Sequence, residues 1–188
     1  MSPGERTASG HSEIYIFSLL YEAAQYAIEA ARKHAARRMH FCLHSLVSSA
    51  FCIEAYLNHV GEEELTLWNA PERKSTRTKL DLVCSRTSIV PDFDARPWSS
   101  FEWLMEFRGK IAHARTEIRP FSNKPLIGDP AMPEREISQV EEACTIENAM
   151  GAVQDVRAMI EIIGKALGSP VTPLLAVSNT QWTAPLDD

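Results

Sequence analysis

Between Phe41 and Val60 the chain leaves almost no polar face. Phe41, Leu43, Leu46, Val47, Ala50, Phe51, Ile53, Leu57 and Val60 fall around nearly the whole circumference of a helix. A helix of that kind must lie at the centre of a bundle or against a partner, because it has no side to give to water. The run carries His44 and Glu54 and falls short of the roughly 20 apolar residues of a typical membrane span. It therefore predicts a buried helix over about Met39–Val60, closed by Gly61.

The rest of the chain supplies elements to surround that helix. From Ser12 to about Arg38, Ile14, Phe17, Leu20, Tyr21, Ala24, Ile28, Ala31 and Ala35 recur at helical spacing, with Ser12 as the expected N-cap. Whether this first helix joins the second through a kink near Met39 is left open by the pattern. Thr78–Ser85 predicts a short third helix. Pro97 suits the first turn of a fourth, which runs to about Ala114 and turns Trp98, Phe101, Leu104, Met105 and Ile111 inward. Glu134 to about Leu167 predicts a fifth, acidic helix, with Gly164 and Gly168 marking its end. Ser88–Pro97 and Arg115–Pro133 are expected loops, the second with prolines at 120, 125, 130 and 133. The chain thus reads as all-α: an up-down bundle of about five helices over 12–168, after a disordered N-terminus at 1–11. A Pro-containing C-terminal tail follows at 169–188, with Leu174, Leu175 and Trp182 available for docking.

At 188 residues the length fits one domain that builds its core without staples. Eight glycines among them favour long helices over a many-turned β fold. A net charge of −6 opposes indiscriminate coating of nucleic acid. Two local basic clusters remain, Arg32, Lys33, Arg37 and Arg38, then Arg73, Lys74, Arg77, Lys79 and Arg86, and both are expected to be solvated helix faces. Cys42, Cys52, Cys84 and Cys144 form no Cys-x-x-Cys pair, and Met1–Ser12 has no apolar leader. Reduced, buried thiols in a cytoplasmic protein away from the membrane are the expectation.

The chemistry-bearing stretch is Phe107-Arg108-Gly109-Lys110-Ile111-Ala112-His113. Arginine is a permanent, fork-shaped cation suited to phosphate, and histidine exchanges protons near neutrality. In an ideal helix, residues five apart point about 140° away from each other. Arg108 and His113 can therefore act together only if the helix unwinds near His113 or if the pair meets across a two-fold seam. Glu54 and Asn58 are one turn apart on the second helix and share a face. Glu54 lies in a strongly apolar run, where an unpaired carboxylate is costly, and Arg108 is its natural partner. His40 and His44 have metal-ligand spacing without an apparent third ligand, so no metal is expected. Trp98 and Trp103 could stack on bases, but core packing is the expectation.

Two segments taken together, Ser48-Ser49-Ala50-Phe51-Cys52-Ile53-Glu54-Ala55-Tyr56-Leu57-Asn58 and Phe101-Glu102-Trp103-Leu104-Met105-Glu106-Phe107-Arg108-Gly109-Lys110-Ile111-Ala112-His113, resemble the HEPN superfamily of small helical bundles. The resemblance covers Met39–Ala114 in detail. It implies a homodimer and metal-independent endoribonuclease activity with no cofactor, with Arg108 and His113 catalytic and Glu54, Asn58 and Lys110 supporting or contacting RNA. It also implies a toxin–antitoxin or defence setting, with an antitoxin or nucleotidyltransferase as partner. The pattern departs at Gly109, where the family usually has Asn, Asp or His. It departs again at Arg115, which occupies the tyrosine slot of one branch, so that branch's tyrosine modification is not carried over. Other members of the superfamily are non-catalytic, and the alternative reading is a binding or scaffold module for a partner protein or nucleotide. A plain helical adaptor with structural Arg and His is the third.

Overall fold

The computed structural model describes residues 9–65, 74–116, 137–168 and 178–183, of which 9–12, 63–64 and 178–183 are described by backbone alone. Six helices are present among them: α1 (Ile16–Lys33), α2 (Arg38–His59), α3 (Thr76–Thr87), α4 (Trp98–Ala112), α5 (Gln139–Ala143) and α6 (Ile146–Leu167). Two short strands, β1 (Ser9–Ile14) and β2 (Ser178–Thr183), pair antiparallel with Ser9 opposite Thr183 and Ile14 opposite Ser178. The protein is an all-α helical bundle with this one small ribbon beside it.

The central helix is α2, packed against α1, α6, α4 and α3. One side of it is lined with small residues: Ser45, Ser48, Ser49 and Cys52 are buried, and α1 answers with buried Ala24, Ala27 and Ala31. Small side chains let two helix backbones approach closely, and this seam is the most extensive in the fold. The larger residues Phe17, Leu46, Ile53, Leu57, Phe101, Leu104, Met159 and Ile163 fill the remaining core, each under 2% exposed. The Cys52 thiol donates to the Phe17 carbonyl at 3.2 Å, and the Tyr56 hydroxyl to the Ile160 carbonyl at 3.3 Å, tying α2 to its two main neighbours.

Helix boundaries differ from the sequence expectation where local capping overrides apolar rhythm. The first helix starts at Ile16 with Tyr15 as N-cap, because Ser12 is drawn into β1. It is separated from α2 by a break at His34 and a single 3₁₀ turn, Ala35–Arg37. The question of one kinked helix or two is thus decided for two. Gly61 does not close α2: the chain continues as a π turn over Val60–Glu64. The expected fifth helix is two. Ser138 and Glu141 form a reciprocal capping box that starts α5, and Thr145 caps α6 by accepting from the Asn148 N–H. Gly164 lies inside α6, and Gly168 ends it with φ of 72°, a left-handed conformation that suits glycine.

The remaining expectations fall unevenly. The loop residues 117–136 and the tail residues Leu174 and Leu175 lie outside the described residues. Residues 9–11, placed by the sequence in a disordered N-terminus, belong to β1, and Trp182 pairs by its backbone with Gly10. All four cysteines are buried and free. No helix among the described residues is long and apolar enough to cross a membrane. Lys79 departs from the expected solvated basic face, being 2% exposed, whereas Arg77 is engaged by Asp81 at 3.0 Å and by Glu102, and lies 3.9 Å over the Phe93 ring.

Candidate functional site

The fold brings Glu54 of α2 to Arg108 of α4, as the cost of burying a lone carboxylate requires. Glu54 Oε2 and Arg108 Nη2 are 3.2 Å apart, with the side chains 20% and 35% exposed. The pair has ion-pair distance but not hydrogen-bond alignment. Glu54 Oε2, Arg108 Nε and Asn58 Oδ1 are sealed from solvent and have no hydrogen-bond partner. Buried polar groups are almost always bonded, and each exception costs about 1–3 kcal/mol. Three such atoms thus fall on side chains singled out from the sequence. The Arg108 guanidinium also sits 5.4 Å from the centre of the Phe51 ring, which is 39% exposed.

His113 is the first residue beyond α4. Its backbone leaves helical geometry at φ −115°, ψ 18°, while its N–H still bonds to the Gly109 carbonyl at 3.0 Å. α4 thus ends at His113 with its last helical hydrogen bond kept. The imidazole is exposed, without a partner among the described residues. Asn58 stands beside the cluster at the mouth of a cavity of about 360 Å³, walled by Tyr15, Phe17, Ala55 and His59. Lys110 is not brought to this cluster. It projects roughly 160° away from Arg108 around the helix and pairs with Glu106 at 2.8 Å on the exposed side. An added Cβ at Gly109 would meet nothing within 4 Å, so the place usually held by a polar side chain in the resemblance is open space.

A second polar cluster escaped the sequence reading. Asp155 of α6, its side chain 8% exposed, accepts from Arg96 Nε at 2.7 Å and from the Ser100 hydroxyl. Arg96 Nη2 also donates to the Gly151 carbonyl at 3.0 Å. The hydrogen bond and charge of Asp155 hold the Arg96 pKa above its ordinary value. Gly151 is what lets the guanidinium lie against α6: a Cβ there would come within 3.2 Å of Arg96 Nη2. A lone acid within an amphipathic helix and an arginine in a loop give no periodic signal. The one available hint was an acidic residue on the apolar stripe of Ala152, Val156 and Met159.

His40 and His44 are both exposed, and no group of three or more potential metal ligands gathers among the described residues. Trp98 is core, as expected, whereas Trp103 is only half-buried and stacks on Phe107 with ring centres 5.6 Å apart. Comparison with protein-family models, curated proteins and solved structures found no match to this chain.

Proposed function

We propose that this protein is a HEPN-like, metal-independent endoribonuclease that works as a homodimer in the cytoplasm, in a toxin–antitoxin or defence setting. The observation that carries the reading is the Glu54–Arg108 pair: a partly exposed guanidinium, anchored but under-bonded, five residues before an exposed histidine at the end of α4. RNA carries its own nucleophile. His113 takes the 2′-OH proton as that oxygen attacks the adjacent phosphorus, and the corresponding histidine of a second copy protonates the leaving 5′-oxygen. Arg108 turns Nη1 to the non-bridging oxygens and stabilises their growing charge, while Glu54 holds Nη2 in place. DNA lacks the 2′-OH and is not cut by this route. The two-fold seam runs along the exposed side of α2, where Phe51 stands beside Arg108.

The open space at Gly109 favours a second reading, a non-catalytic binding module on the same bundle. The test is cleavage of single-stranded RNA in the presence of EDTA by wild type, Arg108→Ala and His113→Ala, each checked for an unchanged fold. Cleavage of RNA but not DNA that both substitutions abolish supports the nuclease. Saturable RNA binding without cleavage by wild type replaces it with the module.

A further inference from the structure

At the opposite end of α4 from His113, a cleft of about 350 Å³ opens between the first turns of α4 and α6. Its size is at the lower end of the range of small-molecule sites, about 300–1,000 Å³. Three side chains give it chemical character. Arg96 has five N–H donors, of which Nε is committed to Asp155 and one Nη2 hydrogen to Gly151. The outer edge of its guanidinium is held rigidly and left unused. Trp103 stacks on Phe107, one turn further along α4, with an angle of 20° between the rings. Trp103 also lines the cleft, together with Ser99 one turn earlier. Glu147 contributes an exposed carboxylate from the first turn of α6. Asp155 is neutralised within the wall by Arg96 and Ser100, so Glu147 is the acceptor free to meet a ligand.

A flat aromatic face, a rigid pair of donors and a single carboxylate acceptor define the complement. The ligand is planar, presents two acceptors on one edge and offers N–H donors on the next. We infer that this cleft binds a nucleobase, and that the base it fits is guanine. O6 and N7 meet the outer edge of Arg96, which is the pairing arginine makes most often with guanine. N1–H and the 2-amino group donate to Glu147, and the ring lies on Trp103. Adenine offers a donor where Arg96 needs an acceptor. Cytosine has two neighbouring acceptors but only one amino group to donate beside them, and uracil separates its two acceptors by an N–H. Phosphate alone is disfavoured by Glu147. The inference does not depend on the roles given to Arg108 and His113, because it concerns recognition at a separate surface and is tested with mononucleotides that cannot be cleaved.

The experiment is titration of the full chain with GMP, AMP, CMP, UMP and inorganic phosphate, followed by amide and indole NMR shifts and by calorimetry. The expected result is saturable GMP binding that moves the Gly151 amide and the Trp103 indole N–H. GMP should be preferred over AMP by about tenfold, the discrimination of one bidentate pair. Glu147→Gln, an exposed substitution that leaves the melting temperature unchanged, should weaken GMP binding severalfold and leave AMP binding unaltered, since only guanine donates to that carboxylate. Arg96→Ala is a poorer probe, since it strips the buried Asp155 of its main partner. Three results overturn the inference: equal affinity for all four nucleotides, no shift at Gly151 or Trp103, or phosphate competing as well as GMP does. RNA cleavage with no guanine preference in this cleft would sink this inference alone, whereas GMP binding without cleavage would leave it standing and remove the nuclease.

Discussion

The two ends of α4 hold the same kind of pair, an arginine against a carboxylate on a neighbouring helix, and the two are finished to different degrees. Arg96 has every contact aligned: Asp155, Gly151 and, through the shared carboxylate, Ser100. Arg108 has an ion partner at 3.2 Å but an unbonded Nε, opposite a carboxylate oxygen that is also unbonded. A completed cluster fixes a shape, and its remaining donors can recognise a ligand at no cost in reorganisation. An incomplete one is ready to change partners, which is what charge stabilisation in a reaction requires. One helix thus has a fully bonded arginine just before its start and an under-bonded one near its finish.

The largest test of this contrast is chemical. His113→Ala should lower RNA cleavage by about 10²–10⁴-fold, the usual loss when a proton-transfer group is removed, with little change in melting temperature. Arg108→Ala should lower it by about 10²–10³-fold, the loss of a charge-stabilising donor, with a lower melting temperature because it strands Glu54. Arg108→Lys should not restore it, because a single ammonium cannot serve two oxygens at once. Next is stability, where the order reverses. Arg96→Ala should destabilise by about 2 kcal/mol in urea unfolding, since it strands a buried carboxylate; the exposure of Arg96 keeps the figure below that of a fully buried pair. Glu54→Gln should cost less than about 1 kcal/mol, because the unaligned pair contributes little. Equal losses from the two substitutions would erase the distinction between the ends.

Much of the Glu54–Arg108 end was legible in the sequence, and the Arg96–Asp155 end was not. Glu54 and Asn58 declared themselves because a carboxylate and an amide interrupt the most apolar run in the chain, and Arg108 was the cation at the matching level of a neighbouring helix. Lys110 was grouped with them through proximity in sequence, which helical geometry undoes: two residues apart is nearly opposite. Arg96 and Asp155 are 59 residues apart, in a loop and on a helix stripe, and nothing local links them. The split of the last long helix was written in Ser138, Glu141 and Thr145, but unbroken apolar periodicity across 137–163 hid it. The strands carry no alternating apolar pattern, so the ribbon was not foreseen.

Two smaller effects set the background on which the ends differ. Burial pushes the thiol of Cys52 up to about 12 and those of Cys84 and Cys144 up to about 11, from an ordinary value near 9. The native chain therefore keeps protons that the unfolded chain gives up. This contribution is complete below about pH 9 and is lost as pH rises toward 11–12. Urea midpoints should fall over that interval in wild type and in Glu54→Gln alike, and a flat profile would refute the burial argument. Smallest of all, Gly109→Ala should stabilise by up to about 1 kcal/mol through helix propensity, since nothing stands in the way of its methyl group. Gly109→Asn should do so less and should raise cleavage if the missing polar side chain limits it.

The ribbon of β1 and β2 has a mechanical consequence. Because Ser9 faces Thr183 and Ile14 faces Ser178, the chain before the first strand and the chain after the second leave from the same spot. Tension applied through both would open that ribbon like a zip, one pair at a time, rather than shearing its hydrogen bonds together. The bundle would then feel a force only after the ribbon had yielded, so an optical-trap record should show a soft first opening well before the helices give way.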